Sequence, residues 1–344
     1  MPAPPIAIVS AGLVTSVGLS APAACAAIRA GLTNHTNTRF SDGRGGWIAG
    51  AQVQLDEPWR GREKLARMAC MAIEECLEPF PHLKSEPLPV LLCVAEPHRP
   101  GRIDGLDDEL LGDVTRRLGL QWHPEWSGVV AYGRVGVPVA ISRARALMAE
   151  RGVSHVLIAA VDSLLVGHTL MPLESEGRLL SKANTNGFIP GEAAGAILLA
   201  RDPLRGSHLA CVGLGFSDEP VPVASDAPFR ADGLTAAINK GLGDAACQMH
   251  DLDFRITDNS GEQYYFKEAA LALTRTMRKV KPEFDIWHPA DCIGETGAAI
   301  GTAALAVALT ACRKRYSAGP NILVHCSSDG GQRAAAILRY AEVA

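Results

Sequence analysis

Between His288 and Glu295, in "WHPADCIGETG" (287–297), an imidazole, the carboxyl groups of Asp291 and Glu295 and the thiol of Cys292 follow one another on one stretch of chain. A cysteine whose proton is taken by a neighbouring histidine is an acyl-transfer nucleophile. Proximity along a loop does not establish hydrogen-bond reach, so the simpler reading makes His288 and Asp291 turn residues and Cys292 a small buried side chain. Cys326 in "LVHCSS" reads likewise, as a core thiol at a strand end. A second stretch, "NGFIPGEAAGAILLA" (186–200), places Gly187, Phe188, Gly191 and Glu192 ahead of an apolar run. Glycines there supply positive φ or close backbone approach, and a buried Glu192 needs a hydrogen-bonded partner. By composition this is a tight turn entering a buried strand before it is an active-site loop. Tyr264 and Tyr265, adjacent in "EQYYF" (262–266), pack the start of a helix or face a pocket.

The elements that must hold these residues alternate. Continuous apolar runs at 6–14, 90–96, 155–163, 194–200, 209–216 and 321–328 are bounded by Gly, Pro and polar residues and read as strands buried on both faces. Between them, alanine-rich segments of helical period occupy 20–32, 62–77, 138–152, 232–248, 266–280 and 296–315. Alternation of this kind predicts a layered α/β fold, and the small side chains predict close helix packing. The same order of elements runs twice, with a break near "RDPLRGSHLA" (201–210), so two similar halves are expected, residues 1–203 and 204–344.

Composition narrows the function classes. The 344 residues are 47% hydrophobic and 20% charged, the balance of a globular protein. A net charge of −4 provides no broad positive field for nucleic acid. The basic clusters "RGREKLAR" (60–67) and "RTMRKVK" (275–281) read as solvated helix faces, although Arg60, Arg62 and Lys64 could meet an acidic carrier. The nine cysteines are scattered, without a Cys-x-x-Cys pair, as reduced buried thiols are; no metal or cofactor is expected. No apolar run approaches the roughly 18 residues of a membrane helix, and the start of the chain reads as a strand and turn, so a cytoplasmic protein is expected.

"NGFIPGEAAGAILLA" resembles the "GFVxGEGAGxxxL" signature of β-ketoacyl synthases, the condensing enzymes of the thiolase superfamily. "IAIVSAGLVTSVGLSAPAACAAIRAGL" resembles their opening segment, and "RGVSHVLIAAVDS" their "AGEADVMIAGGAE". "GETGAAIGTAALAVAL" is similar to their "GHxxGAAG" segment and "SSDGGQRAAAIL" to their closing "NSFGFGGxNA". The matches span nearly the whole chain, which is shorter than a typical member. The resemblance implies a thiolase-like fold, α-β-α-β-α in layers, each half carrying a mostly buried mixed sheet covered by helices.

The family's chemistry needs a cysteine thiolate at a helix N-terminus and two histidines that polarise an acyl thioester and assist decarboxylation. Counting back from "ARALMAERG" puts the cysteine position at Val135 or Gly136, where no nucleophile stands. The first histidine position falls near Asn259 and the second at Glu295; asparagine cannot take a proton near neutral pH, and a carboxylate opposes an oxyanion. Asp329 replaces the gating phenylalanine, while Gly330 and Gly331 remain. The resemblance therefore implies a degenerate member retained for binding: an accessory or adaptor protein acting as a homodimer or heterodimer, with an acyl carrier or acyl-CoA as a further partner. Two family precedents fit, chain-length-factor subunits that pair with an active synthase and short thiolase-like proteins associated with type VI secretion cargo. The alternative is an acyl-thioester enzyme with a relocated nucleophile, Cys292 with His288.

Overall fold

The structure, a computed structural model, describes residues 4–43, 45–201, 206–225 and 227–343. Its strands are β1 (Ile6–Val14), β2 (His35–Ser41), β3 (Trp47–Ala51), β4 (Val90–Cys93), β5 (Gly128–Val130), β6 (His155–Ser163), β7 (Glu192–Ala200), β8 (Gly206–Asp218), β9 (Phe254–Thr257), β10 (Ile286–Trp287), β11 (Asn321–Ser327) and β12 (Gln332–Val343). The α-helices are α1 (Ala21–Arg29), α2 (Gly61–Leu77), α3 (Leu110–Leu118), α4 (Gly136–Arg151), α5 (Gly167–Ser175), α6 (Asp232–Asp244), α7 (Gln263–Thr276), α8 (Ala290–Ile293) and α9 (Ile300–Arg313).

Ten strands form one sheet in the order β5-β4-β6-β7-β1-β8-β12-β11-β9-β10, and β2 and β3 form a separate hairpin. Outward from the centre, β1-β7-β6-β4-β5 and β8-β12-β11-β9-β10 follow the same connection pattern, each with two antiparallel and then two parallel pairings. The two sets meet where Ile6–Ile8 pair with Leu209–Cys211. The expected boundary between residues 203 and 204 lies outside the described residues.

Helices cover both faces. The apolar face of α2, with Leu65, Met68, Ala69, Ala72, Ile73 and Cys76 buried at helical spacing, packs on β1 and β7, and α6 packs on β8 and β12. Each contact uses a glycine of the central strand. A Cβ on Gly12 of β1 would lie 2.0 Å from the Ala72 carbonyl oxygen, and one on Gly215 of β8 would lie 2.0 Å from that of Ala237. The inner layer is α4 and α9; α9 is buried on all sides and touches strands of both sets, as its run of Ala, Val and Leu requires.

Several element ends shift from those expected. The strand at 90–96 stops at Cys93, and the helix at 266–280 stops at Thr276. There the chain turns extended at Met277 and carries Lys281 to the Leu252 carbonyl, so "RTMRKVK" is mostly loop rather than a helix face. The closing "QRAAAILRYAEV" is the long strand β12, buried on both faces for much of its length by residues as small as alanine.

Candidate functional site

Beyond β5 the chain makes a 3-10 turn at Gly133–Val135 before α4 begins at Gly136. Gly133 has φ 51°, which favours glycine, and a Cβ there would lie 2.2 Å from Glu96 Oε2. The turn directs the Val135 side chain into a small apolar cluster with Cys326 and Ala334, and sets Gly136 against Cys93. Neither presents anything reactive. The side chain that enters the site is that of Arg134, one residue earlier than the spacing suggested, and it is 7% exposed.

Arg134 is surrounded by acceptors. Its Nη1 lies 3.3 Å from Glu295 Oε2, and its Nη2 donates to the Tyr265 hydroxyl at 2.7 Å and to Asp329 Oδ1. Its Nε is 3.9 Å from Asp258 Oδ2. The Tyr265 hydroxyl in turn donates to Asp329. Arg178 completes the network with a bidentate pair to Glu262, 2.8 Å on each branch, and a bond to Asp329 Oδ2 at 2.7 Å.

The two expected histidine positions also separate. Glu295 is 5% exposed; its Oε1 accepts the Gly297 amide at 3.0 Å, and its Oε2 accepts the hydroxyl of Ser260, not of Asn259, at 2.9 Å. Asn259 points elsewhere, accepting the Thr257 hydroxyl at 3.1 Å. Arg134, Ser260 and Glu295 are therefore the residues that the fold brings together.

The charge states follow from burial and neighbours. Burial pushes the Glu295 carboxyl up to about 7 against the pull of Arg134, with Asp258 and Asp329 adding to the rise. Burial likewise raises Asp258, against Arg134. Asp329 goes the other way: burial opposes its charge, but Arg134 and Arg178 together hold it well below the usual carboxylate range. Burial disfavours the Arg134 cation, yet Tyr265 and the carboxylates hold its proton more tightly than usual.

This network forms one wall of a cavity of about 690 Å³ that Phe188 and Gly330 also line. The charged groups on its surface are the carboxylates Glu96, Glu176, Glu262, Glu295 and Asp329 and the guanidiniums Arg99, Arg134 and Arg178. Arg99 is held by Asp162 at 2.7 and 2.8 Å. Beside this wall, three glycines are fixed by close packing or by positive φ. Gly187 and Gly191 lie so near Leu179 and Ile293 that a Cβ would come 2.6 Å and 2.5 Å from their backbones, and Gly331 has φ 97°. Glu192 faces a second cavity of about 570 Å³ and is satisfied by the Val53 amide at 3.0 Å, the Ser163 hydroxyl at 2.9 Å and Lys64.

The relocated pair is not assembled. Cys292 Sγ lies 3.8 Å from the Ile28 carbonyl, and burial together with Asp291 raises the thiol pKa. His288 stands 3.7 Å from Asp291 and edge-on to Phe266, with no hydrogen bond to Cys292, and neither residue lines the larger cavity. Burial raises the Cys326 thiol further still. Of the basic cluster at 60–64, Arg62 is paired with Glu109 and Asp113 at 2.7 and 2.8 Å, and Lys64 with Glu192, which leaves little free charge for a carrier. Among the described residues no group of three or more His, Cys, Asp or Glu is placed to hold a metal, and no helix is long and apolar enough to cross a membrane.

No protein-family model matches the chain, and no curated protein matches it. Solved structures do. An oxazolomycin ketosynthase domain from Streptomyces albus superposes with a TM-score of 0.80 at 14% identity, over 99% of this chain and 75% of that one. The ishigamide ketosynthase/chain length factor gives 0.78 at 15% identity, over 98% and 99%. A ketosynthase in complex with its chain length factor from Xenorhabdus doucetiae gives 0.75 at 15%, over 98% of each chain. At this identity the likeness establishes the fold, which is the thiolase-like ketosynthase fold.

Proposed function

We propose that this chain is a non-condensing subunit of ketosynthase fold, retained to bind a protein partner. The observation that carries the reading is Arg134 at the helix-α4 elbow, facing Ser260, Glu295 and Asp329 where the family's chemistry calls for a thiolate and two histidines. A guanidinium has no nucleophilic lone pair at working pH, and Glu295 beside it cannot stabilise an oxyanion once ionised. Besides Glu295, whose carboxyl is pushed up to about 7, the cavity surface carries four carboxylates against three guanidiniums, so it offers no net positive field for the anionic phosphates of acyl-CoA or of a carrier's prosthetic arm.

Pairing with a related subunit, as a chain length factor does, draws support from the solved ketosynthase and chain-length-factor complexes whose fold this chain shares. Homodimerisation, an accessory role in loading type VI secretion cargo and a cytoplasmic setting belong to the same proposal. The competing reading, a thioester enzyme using Cys292, is disfavoured by a buried thiol that no histidine activates.

Condensation tests the reading. The wild-type protein and the single variants Arg134→Cys, Val135→Cys and Gly136→Cys, given an acyl thioester and a decarboxylating extender thioester, should all release no 3-oxoacyl product, because Ser260 and Glu295 still occupy the histidine positions. Product above the no-enzyme background from the wild type or any of these variants would contradict it.

A further inference from the structure

Away from the cavity, one face of the second set of strands carries a buried cation without a counter-charge. Side chains alternate along β9, so Phe254 and Ile256 enter the central core, whereas Arg255 and Thr257 turn toward α7. Strand register gathers other polar groups on that face. His325 of β11 lies opposite Thr257, with 3.4 Å between its Nδ1 and the Thr257 hydroxyl. On the other side β10 pairs Ile286 with Arg255 and Trp287 with Ile256, which brings the next residue, His288, level with Thr257. Diagonal neighbours in a sheet are about 7–8 Å apart, within reach of an arginine.

Three nitrogens in this group have no partner among the described residues: Arg255 Nε, His325 Nε2 and His288 Nε2. Arg255 is 6% exposed and His325 1%. The guanidinium donates from Nη1 to the Ala269 carbonyl at 2.9 Å and lies 5.9 Å from the Phe284 ring, but among the described residues it makes no ion pair. Asp285, whose carbonyl accepts the Arg255 amide at 3.0 Å, is exposed, and the other acids nearby are engaged elsewhere. Asp253 accepts the Asn321 amide at 2.8 Å, Asp291 sits against His288 at 3.7 Å, and Glu268 pairs with Arg333 at 2.7 Å. Burial alone brings Arg255 down to about 10, burial with the positive field of Arg255 and His288 brings His325 down to about 3, and burial lowers His288, so both histidines are neutral and each carries a single N–H, which faces Arg255 only in the Nε2–H tautomer. Buried polar groups are otherwise satisfied almost everywhere in folded proteins, and buried charges are paired.

We infer that a small monovalent anion, a halide or a short carboxylate such as acetate, binds under α7 between Arg255, His325 and His288. One uncompensated positive charge asks for one negative charge; Arg255 Nε is a free donor for it, and His325 Nε2 and His288 Nε2 complete the donor set in their Nε2–H tautomers. Burial of Arg255 and His325 leaves no opening for a macromolecular side chain, so the ligand is a free ion. A water molecule could take the hydrogen bonds but would leave the charge unmatched.

The test compares the full-length protein with Arg255→Met, which removes the buried charge and keeps an apolar stem. In melts at fixed ionic strength, with sulfate as the balancing ion, bromide or acetate should raise the wild-type Tm by about 2 °C for each tenfold increase above Kd, and should leave Arg255→Met unmoved. Crystals grown in bromide should show an anomalous peak within hydrogen-bonding distance of Arg255, a reading that needs no variant. Loss of that peak on adding acetate assigns a carboxylate site, and its persistence assigns a halide site; both support the inference. The inference fails if the wild-type Tm does not respond, if wild type and variant respond equally, or if only water density stands beside Arg255.

Discussion

Arg134→Met should cost about 3–5 kcal/mol of unfolding free energy at pH 8, because truncating one partner of a buried ion pair leaves its carboxylates buried without their nearest cation. Asp329 keeps Arg178, but Glu295 and Asp258 lose the one guanidinium within 4 Å of them among the described residues. The deficit should shrink toward pH 5, and the sign follows from Glu295. Its folded-state pKa, about 7, lies above the ordinary 4.5. Its contribution is therefore fully present below pH 4.5 and is lost as pH rises through 7. Below pH 5 the carboxyl is protonated in wild type and variant alike and no longer needs the cation. Asp329, shifted downward, is ionised in both states across this window and adds no slope. Urea midpoints at pH 5 and pH 8 read the effect; a cost under about 1 kcal/mol at pH 8 would mean that the network contributes little.

The second large effect lies in the C-terminal half, at Glu268 and Arg333. Arg333 on β12 and Glu268 on α7 meet at 2.7 Å with both side chains all but inaccessible, and the Ser327 hydroxyl donates to the free oxygen of Glu268 at 2.6 Å. Glu268→Leu alone should lose about 3–5 kcal/mol by stranding the guanidinium, whereas adding Arg333→Met should recover most of it, since an apolar pair of similar volume is often as stable as a buried ion pair. A double-mutant cycle in urea measures the coupling. Additive losses would show that the two residues act independently.

These sites differ in how far the amino-acid order exposes them. Strands β1 and β6 were legible to the residue, because a sheet covered on both faces demands unbroken apolar runs and "IAIVSAGLV" and "HVLIAAVDS" are such runs. The hairpin β2–β3 was not, because "HTNTRFS" is largely exposed and carries no apolar signal, and α5 holds Pro172, which reads as a break. At the site, the spacing of "GETGAAIG" points to Glu295, which the structure places beside Arg134 on the cavity surface. Arg134 and Ser260 were each missed by one residue. On a turn of three residues per revolution, a slip of one position rotates a side chain by about 120°, enough to exchange Arg134 for the core residue Val135. An arginine in an apolar run also gives no hint of partners such as Glu295, Tyr265 and Asp329, which lie more than a hundred positions away and exist only in the folded chain.

Intact-protein mass spectrometry tests the central claim most directly. Wild type and Cys292→Ala would each be incubated with acyl-CoA and with acyl-carrier thioesters. The replaced elbow predicts no stoichiometric acyl adduct on either protein. An adduct on the wild type that disappears in Cys292→Ala would make Cys292 a working nucleophile and contradict the non-condensing reading; an adduct on both would place that nucleophile elsewhere in the chain and contradict it equally.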